Sequence, residues 1–205
     1  MLTIATHRFV SAARRALGPW LGAVGVRFFD FFYGERAIAE VPPHVEPTIA
    51  LETRHARSTD FTAILARVGA AEAPRIRQAI GAGEVCVVAV SEGALTGFIF
   101  ASLERVDLAG VPICALPANG AYVHTAYVFA EYRGRKVLQV LGRALHLALA
   151  ERGCRFTCRL IDRENAPSLV GTERGGVHLR WAPVVKFPGA APFFVPPRPP
   201  ALRRR

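Results

Sequence analysis

The sequence has few cysteines, and their spacing fits no metal site. The four are Cys86, Cys114, Cys154 and Cys158. Cys154 and Cys158 are too far apart for a CxxC ligand pair, and no pair of histidines has zinc-finger spacing. Both cysteines fall in one predicted strand, where a cysteine usually serves as a small apolar packing residue. We therefore predict reduced thiols, no bound metal and a cytoplasmic location.

The N-terminal region lacks both a signal-peptide cleavage site and a membrane-spanning helix. Its apolar run, from Ala16 to Val26, is shorter than the ~20 residues that a spanning helix needs. Arg27 and Asp30 interrupt the run, and bulky phenylalanines stand where a signal peptide has small residues. Residues 1–45 are instead predicted to form an amphipathic extension of two short helices. Its apolar face either packs on the main domain, which we favour, or lies on a membrane surface.

Acidic residues are scarce relative to basic ones. Asp and Glu number 16 against 26 Lys and Arg, which gives a formal net charge of +10. This balance favours an anionic partner such as a phosphorylated cofactor, a nucleic acid or an acidic membrane surface. No helix-turn-helix, aromatic RNA-reading strand or zinc motif is present, so specific nucleic-acid binding is not predicted. Peripheral membrane contact through residues 1–45 and homodimer formation both stay open.

The rest of the chain alternates strand and helix patterns without an internal repeat. Residues 46–188 are predicted to form one domain, and residues 189–205 a Pro- and Arg-rich tail that is extended or disordered. The predicted order is strand, two helices, three strands, helix, strand, helix, strand. This order predicts an α/β fold of the α+β kind. Helices flank a mixed, mostly antiparallel central sheet that contains one strand–helix–strand crossover.

The most informative stretch runs from Tyr127 to Lys136. A strand ends there, a basic turn that contains a glycine follows, and the longest predicted helix begins at once. The first N–H groups of a helix lack partners, and the helix dipole adds positive charge to them. Together with Arg133, Arg135 and Lys136, these groups would suit a pyrophosphate. Solvated charge at a helix start explains the same residues equally well.

This stretch resembles motif A of the GNAT N-acetyltransferase family, whose Arg/Gln-x-x-Gly-x-Gly/Ala turn cradles the pyrophosphate of coenzyme A (CoA). The hairpin Val87–Phe98, the segment Ile161–Ser168 and the turn Glu173–Val177 resemble further parts of that family. The resemblance covers about residues 46–188 and implies a GNAT-like sheet whose crossover lies at the CoA site. It also implies acetyl-CoA or another acyl-CoA as co-substrate, with a small-molecule or peptide amine as acceptor.

The resemblance also implies which residues form the site. The expected cofactor-binding residues are Val128, Ala130, Arg133, Gly134, Arg135, Lys136, Val137, Leu138 and Asn165. Backbone N–H groups near Val128 are expected to meet the developing oxyanion, where the strand splays from its neighbour. The Glu that serves many relatives as base falls at Tyr122. His124, two residues on and on the same strand face, is our leading candidate base. An ordinary half-buried strand histidine is an equally good interpretation of His124.

Three departures from the family pattern affect the expected chemistry. Motif A glycines fall at Lys136 and Leu138, and the tyrosine that often protonates the CoA thiolate falls at Gly171. Two hypotheses about function follow. In the first, the protein transfers an acyl group to a primary amine by direct attack in a ternary complex. In the second, a catalytically degenerate GNAT domain binds CoA as a regulatory or assembly module without turnover.

Overall fold

The computed structural model describes residues 22–108, 111–190 and 193–194. Within these ranges the chain forms an eight-stranded sheet, a separate two-stranded hairpin and the four helices named below. No helix among them is long and apolar enough to cross a membrane.

The secondary-structure elements have the following bounds. The strands are β1 (Arg27–Ala37), β2 (Glu52–His55), β3 (Val85–Ser91), β4 (Ala94–Ser102), β5 (Arg105–Leu108), β6 (Val111–Ala115), β7 (Gly120–Val128), β8 (Phe156–Asp162), β9 (Leu179–Lys186) and β10 (Phe193–Phe194). The helices are α1 (Ser58–Arg67), α2 (Ala73–Gly81), α3 (Val137–Glu151) and α4 (Ala166–Arg174), and a short 3-10 turn spans Ala130–Tyr132.

The eight strands lie in the order β10-β9-β1-β8-β7-β4-β3-β2. All neighbouring pairs are antiparallel except β7 and β8, which α3 connects. Parallel neighbours require a crossover of this kind, because a tight turn cannot return the chain to the same end of the sheet. The predicted fold class, a mostly antiparallel mixed sheet with one crossover, is confirmed.

The helical prediction for the N-terminal region is wrong over residues 27–37. This segment is β1, which lies inside the sheet and pairs antiparallel with both β8 and β9. Its aromatic residues favour a strand, where Phe31 and Tyr33 are buried against neighbouring elements. The sheet is therefore not confined to residues 46–188, and residues 1–21 of the predicted extension lie outside the described part of the chain.

The C-terminal tail, predicted to be extended or disordered and unable to continue a sheet, does continue the sheet at one point. Phe193 and Phe194 form β10, which pairs with Val185 and Val184 of β9 at the edge of the sheet. Proline cannot donate a ladder hydrogen bond, but Pro192 and Pro196 flank this pair of residues and do not interrupt it. The tail residues 191, 192 and 195–205 lie outside the described part of the chain.

Helices cover both faces of the sheet around β3, β4 and β7. On one face, α3 places Leu141, Leu145 and Leu149 at helical spacing against the odd-numbered residues of β3 and β4. On the other face, Ile64 of α1 and Ile76 of α2 pack against the even-numbered residues of the same strands. Each fully buried leucine or isoleucine contributes about 1.5–3 kcal/mol of transfer free energy. This packing fixes the start of α3 beside the end of β7.

Candidate active site

Backbone pairing between β7 and β8 stops soon after the two strands begin. The ladder runs from Gly120↔Phe156 to Tyr122↔Cys158, whereas β7 continues to Val128 and β8 to Asp162. The strands therefore diverge beyond Tyr122, earlier than the splay near Val128 that the resemblance implied. The divergence leaves a wedge-shaped gap that a ligand can enter.

A β-bulge interrupts β7 beside this gap. The register between β4 and β7 shifts by one residue between Phe98 and Phe100 of β4. Thr125, within the bulge, has a φ of +46°, a left-handed conformation that β-branched residues rarely adopt. Because of the extra residue, the odd-numbered Phe129 lies on the same face of the sheet as the even-numbered His124. Backbone strain of this kind concentrates at functional sites.

Both ring nitrogens of His124 have side-chain partners. Nε2 lies 2.5 Å from Oε2 of Glu84, and Nδ1 lies 2.8 Å from Oγ1 of Thr125. The side chains of His124 and Glu84 are only 6% and 13% exposed, and the ring also stacks on Tyr122 and Phe100. These contacts hold the imidazole in one orientation. If Nε2 carries the proton donated to Glu84, Nδ1 is the nitrogen that can accept one.

Tyr122 lies beside His124 but in a different electrostatic environment. Its side chain is 2% exposed, and burial raises the pKa of the phenol well above its ordinary value. The neighbouring Arg75 guanidinium acts on the pKa in the opposite direction and only partly offsets the effect of burial. Tyr122 therefore stays neutral at physiological pH, so it can donate a hydrogen bond but cannot serve as the base.

The turn before α3 presents main-chain N–H groups. Gly134 and Lys136 have left-handed φ values of +77° and +63°, and the first helical hydrogen bond runs from the Val140 N–H to the Lys136 carbonyl. Within the described ranges, the N–H groups of residues 137–139 donate to no protein acceptor. Because these groups also lie at the positive end of the dipole of α3, they suit an anion.

The predicted cofactor-binding residues occupy different environments around this turn. Arg133 turns back on the strand, where its Nε donates to the Val128 carbonyl at 3.2 Å. Ala130, Gly134, Arg135 and Lys136 are exposed. The side chain of Val137 is buried under α3, so only its main chain is available to a ligand, whereas Leu138 is 42% exposed. Asn165 begins α4, where its Oδ1 accepts a hydrogen bond from the Ser168 N–H at 3.2 Å.

A cleft of about 1400 Å³ joins several of these features. It is lined by four of the predicted residues, Tyr122, His124, Leu138 and Asn165. Val128, Ala130 and residues 133–137 do not line it, although residues 133–137 lead directly into Leu138. Its basic side chains are Arg27, Arg36, Arg75, Arg143, Arg159, Arg174 and Lys186, and its acidic ones are Glu72 and Asp162. A cleft with this charge is suited to a large anionic ligand.

Sequence reasoning missed several residues that shape this site. Glu84 lies 40 positions before His124, and no local pattern links the two. The left-handed conformation of Thr125 likewise has no signal in its residue type, since threonine normally avoids it. Arg159 and His146 did leave a signal, because each is a polar residue on an otherwise apolar strand or helix face.

No protein-family model matches the sequence, and no curated protein matches it. Among solved structures, a putative acetyltransferase of the GNAT family from Novosphingobium aromaticivorans is similar, with a TM-score of 0.55 and 18% identity over 78% of this chain and 64% of that chain. A GCN5-related N-acetyltransferase from Sphaerobacter thermophilus has a TM-score of 0.57 and 18% identity over 88% of this chain and 58% of that chain. A tandem GNAT protein from the clavulanic acid biosynthesis pathway has a TM-score of 0.52 and 15% identity over 85% of this chain and 59% of that chain.

These similarities show that the chain has the fold of the GNAT superfamily. The chain spans 58–64% of the length of the three structures, so it corresponds to part of each of them. At identities of 15–18% they establish the fold, and the chemistry must be argued from the residues of the cleft.

Proposed function

We propose that this protein is an acyl-CoA-dependent N-acyltransferase that transfers an acyl group, in the first instance acetyl, to the primary amine of a small molecule or peptide. The observation that carries the proposal is a combination of two features on one strand–helix unit. Free N–H groups at the start of α3 follow the end of β7, and β7 also carries His124, which Glu84, just before β3, holds in one orientation.

The start of α3 would bind the diphosphate of CoA. Its N–H groups and dipole favour a negative charge, and the exposed Arg135 and Lys136 add two cations. The diverging ends of β7 and β8 would then receive the pantetheine arm and the thioester. A backbone N–H near Val128 would meet the oxygen of the thioester carbonyl as it becomes negative.

His124 would act as the base. A protonated primary amine must first lose one proton, which passes to Nδ1 of His124 through the hydroxyl of Thr125. The nitrogen lone pair then attacks the carbonyl carbon, so that a C–N bond forms. When the tetrahedral intermediate collapses, the C–S bond breaks and the electron pair leaves on sulfur. Glu84 would stabilise the imidazolium that holds the proton.

The leaving thiolate requires one further proton. Gly171, where the family tyrosine falls, offers no side chain to the cleft. The attacking nitrogen carries a second proton that must depart to give the neutral amide, and this proton balances the thiolate. Transfer between the two through water needs no dedicated acid, so the lack of a side chain at Gly171 is compatible with turnover.

The same observation at Gly171 favours a second candidate function, a CoA-binding module without turnover. Two measurements separate the candidates. Calorimetry with CoA and acetyl-CoA tests whether the cleft binds the cofactor, and release of free thiol in the presence of a panel of amines tests turnover. Binding with amine-dependent thiol release supports the enzyme, whereas binding without it supports the module. Absence of affinity for any CoA species would contradict both.

A further inference from the structure

Four basic side chains converge in the cleft at a distance from the start of α3. They are Arg36 of β1, Arg143 and His146 of α3, and Arg159 of β8, and all four line the cleft. The pKa of His146 reflects how close the three arginines lie to its imidazole. Burial lowers the pKa of its imidazole, and the positive charges of Arg36, Arg159 and Arg143 lower it further. The hydrogen bond from Nε2 to the Ile38 carbonyl, at 2.8 Å, offsets only part of this effect.

Arg159 has no polar partner in the part of the chain that the structure describes. Among the described residues it forms no hydrogen bond or ion pair, although its side chain is half-buried in the cleft. Burial, together with the positive charge of Arg36, lowers the pKa of Arg159 to about 10. The residue opposite it on β1 is Gly34, where a Cβ would lie only 2.8 Å from Val177 Cγ1. Leu179 Cδ2 would lie 3.0 Å from the same Cβ, so the side chains of Val177 and Leu179 fill the space above Gly34 and pack beside Arg159.

The other two arginines are held by neutral groups. Arg36 donates to the Gly175 carbonyl at the end of α4, and Arg143 donates to the Pro42 carbonyl. The exposed Glu40 is the acidic residue that acts on Arg36, and it forms no ion pair with it in the described structure. Among the described residues, the cluster thus brings like charges together without an ion-paired carboxylate. Such an arrangement costs stability, and a bound anion would offset that cost.

The diphosphate of CoA cannot be that anion while it binds at the start of α3. His146 lies nine positions after Val137, which at 1.5 Å per residue corresponds to about 14 Å along the helix axis. Arg159 instead follows Cys158, the last residue of β8 that pairs with β7, so it lies where the strands begin to diverge. A group bound there would belong to the reacting end of a substrate.

We propose that Arg159, with Arg36 and Arg143, binds a carboxylate carried by one of the two substrates. The inference depends on the proposed acyltransferase function. The carboxylate has two chemical sources, the far end of a dicarboxylic acyl group on CoA or the carboxylate of an amino-acid acceptor. The planar guanidinium of Arg159 can bind a carboxylate through two parallel hydrogen bonds, which a lysine at this position could not do.

Binding of a carboxylate can be tested without CoA. NMR titration of His146 in the full chain is expected to show its pKa rising by about one unit in saturating glutarate, because a nearby anion offsets the arginine charges. The neutral diamide of glutarate should leave the pKa unchanged. The rise should disappear in Arg159→Gln and persist in Arg155→Gln, a matched control at an exposed arginine just before β8. No rise with glutarate, or an equal rise with inorganic phosphate, would overturn the assignment to a carboxylate.

Kinetic measurements then distinguish the two sources. One arm compares succinyl-CoA with acetyl-CoA on a neutral amine, and the other compares glutamate with its diamide as acceptors of an acetyl group. One arm should show at least a tenfold preference in kcat/KM for the carboxylate, lost in Arg159→Gln and kept in Arg155→Gln. Turnover of acetyl-CoA without a preference in either arm overturns this inference and leaves the proposed function standing. Absence of any CoA binding would overturn the proposed function. The His146 titration would still test whether the arginine cluster binds a carboxylate.

Discussion

Nε2 of His124 lies 2.5 Å from Oε2 of Glu84, a residue 40 positions earlier in the chain. The carboxylate lies just before β3 and the imidazole lies on β7, with β4 between these two strands. The carboxylate and the imidazole are largely buried, and the Thr125 hydroxyl lies at the second ring nitrogen. A general base needs this arrangement, in which a third group orients the imidazole. His124 lines the cleft and Glu84 supports it from outside, so removal of either side chain should affect chemistry more than binding.

Substitution of His124 should lower turnover strongly with little effect on cofactor binding. His124→Gln keeps a polar side chain of similar size but removes the base, so we expect kcat to fall by roughly 10²–10⁴-fold. Glu84→Gln should cause a smaller fall, because the imidazole keeps a hydrogen-bonding neighbour but loses the charge that stabilises its protonated form. Steady-state kinetics with acetyl-CoA and calorimetric affinity for CoA measure the two effects separately.

Glu151→Gln is a suitable control for these variants, because Glu151 is exposed at the end of α3 and does not line the cleft. Unchanged kcat in both His124→Gln and Glu84→Gln, with thermal stability preserved, would remove His124 from the mechanism.

Neutralising the turn before α3 should weaken CoA but not pantetheine. Arg135→Gln and Lys136→Gln each remove an exposed cation beside the free N–H groups. An exposed ion pair contributes about 0.2–1 kcal/mol, so each variant should lose up to about fivefold in CoA affinity. Pantetheine lacks the diphosphate, so its affinity should not change. Equal losses for both ligands in calorimetry would show that the turn does not bind the diphosphate.

The glycine of that turn supports a related prediction. Gly134 has a φ of +77°, so Gly134→Ala should strain the backbone by about 1 kcal/mol and weaken CoA binding through misplaced N–H groups. Gly81→Ala, in α2, has open space for the added methyl and no left-handed backbone. It should raise stability by up to about 1 kcal/mol and leave CoA affinity unaltered. A Gly134→Ala variant that binds CoA as tightly as the unmodified chain would contradict the role given to the turn.

Much of the fold could be predicted from local pattern, because helices and hairpins carry local signals. The presence of α3 followed from apolar spacing, although it begins at Val137 and not at Gly134 as predicted, and the β3–β4 hairpin followed from two apolar runs around Glu92-Gly93. The N-terminal strand could not be predicted in this way. The aromatic run Phe28–Phe32 fits a strand only if partners lie on both sides, and its partners are more than a hundred residues away.

The residues of the candidate site likewise fall into two groups, those that local sequence predicts and those that only the fold brings together. Residues near Gly134 could be predicted because the turn and the helix it precedes are contiguous in sequence. Glu84 and the cluster around Arg159 could not be predicted. Only the topology brings Glu84 beside His124, and only the topology brings β1, α3 and β8 together. The polar residues Arg159 and His146 on apolar faces were the available signal, and a single buried polar residue does not show what it faces.

His146 should make the protein more sensitive to acid. The pKa of its imidazole is lowered in the folded state, chiefly by burial and then by the arginines. Below the ordinary histidine pKa of about 6.5, the unfolded chain therefore binds a proton that the folded chain resists. Stability should fall as pH drops from about 7 towards the lowered pKa, and His146→Gln should flatten this dependence. Urea unfolding at pH 7.5 and pH 5.5 measures it.

His44→Gln is the control for this prediction, because the His44 side chain is exposed and its ion-pair partner is Glu46. Glutarate, if it binds the cluster, should reduce the pH dependence of the unmodified chain. An identical loss of stability between the two pH values in His146→Gln and in the unmodified chain would exclude His146 as the source.

A tyrosine at position 171 should increase turnover if proton supply to the thiolate limits the reaction. Gly171 lies on α4 and lines the cleft, and an added Cβ there meets no atom within 4 Å. A phenol at this position could donate to the leaving sulfur, so Gly171→Tyr should raise kcat for thiol release more than Gly171→Phe, which adds the same ring without the hydroxyl. Equal rates in the two variants would mean that water or the amine supplies the proton. If neither variant nor the unmodified chain releases thiol with any amine, yet all three bind CoA, the module is favoured over the enzyme.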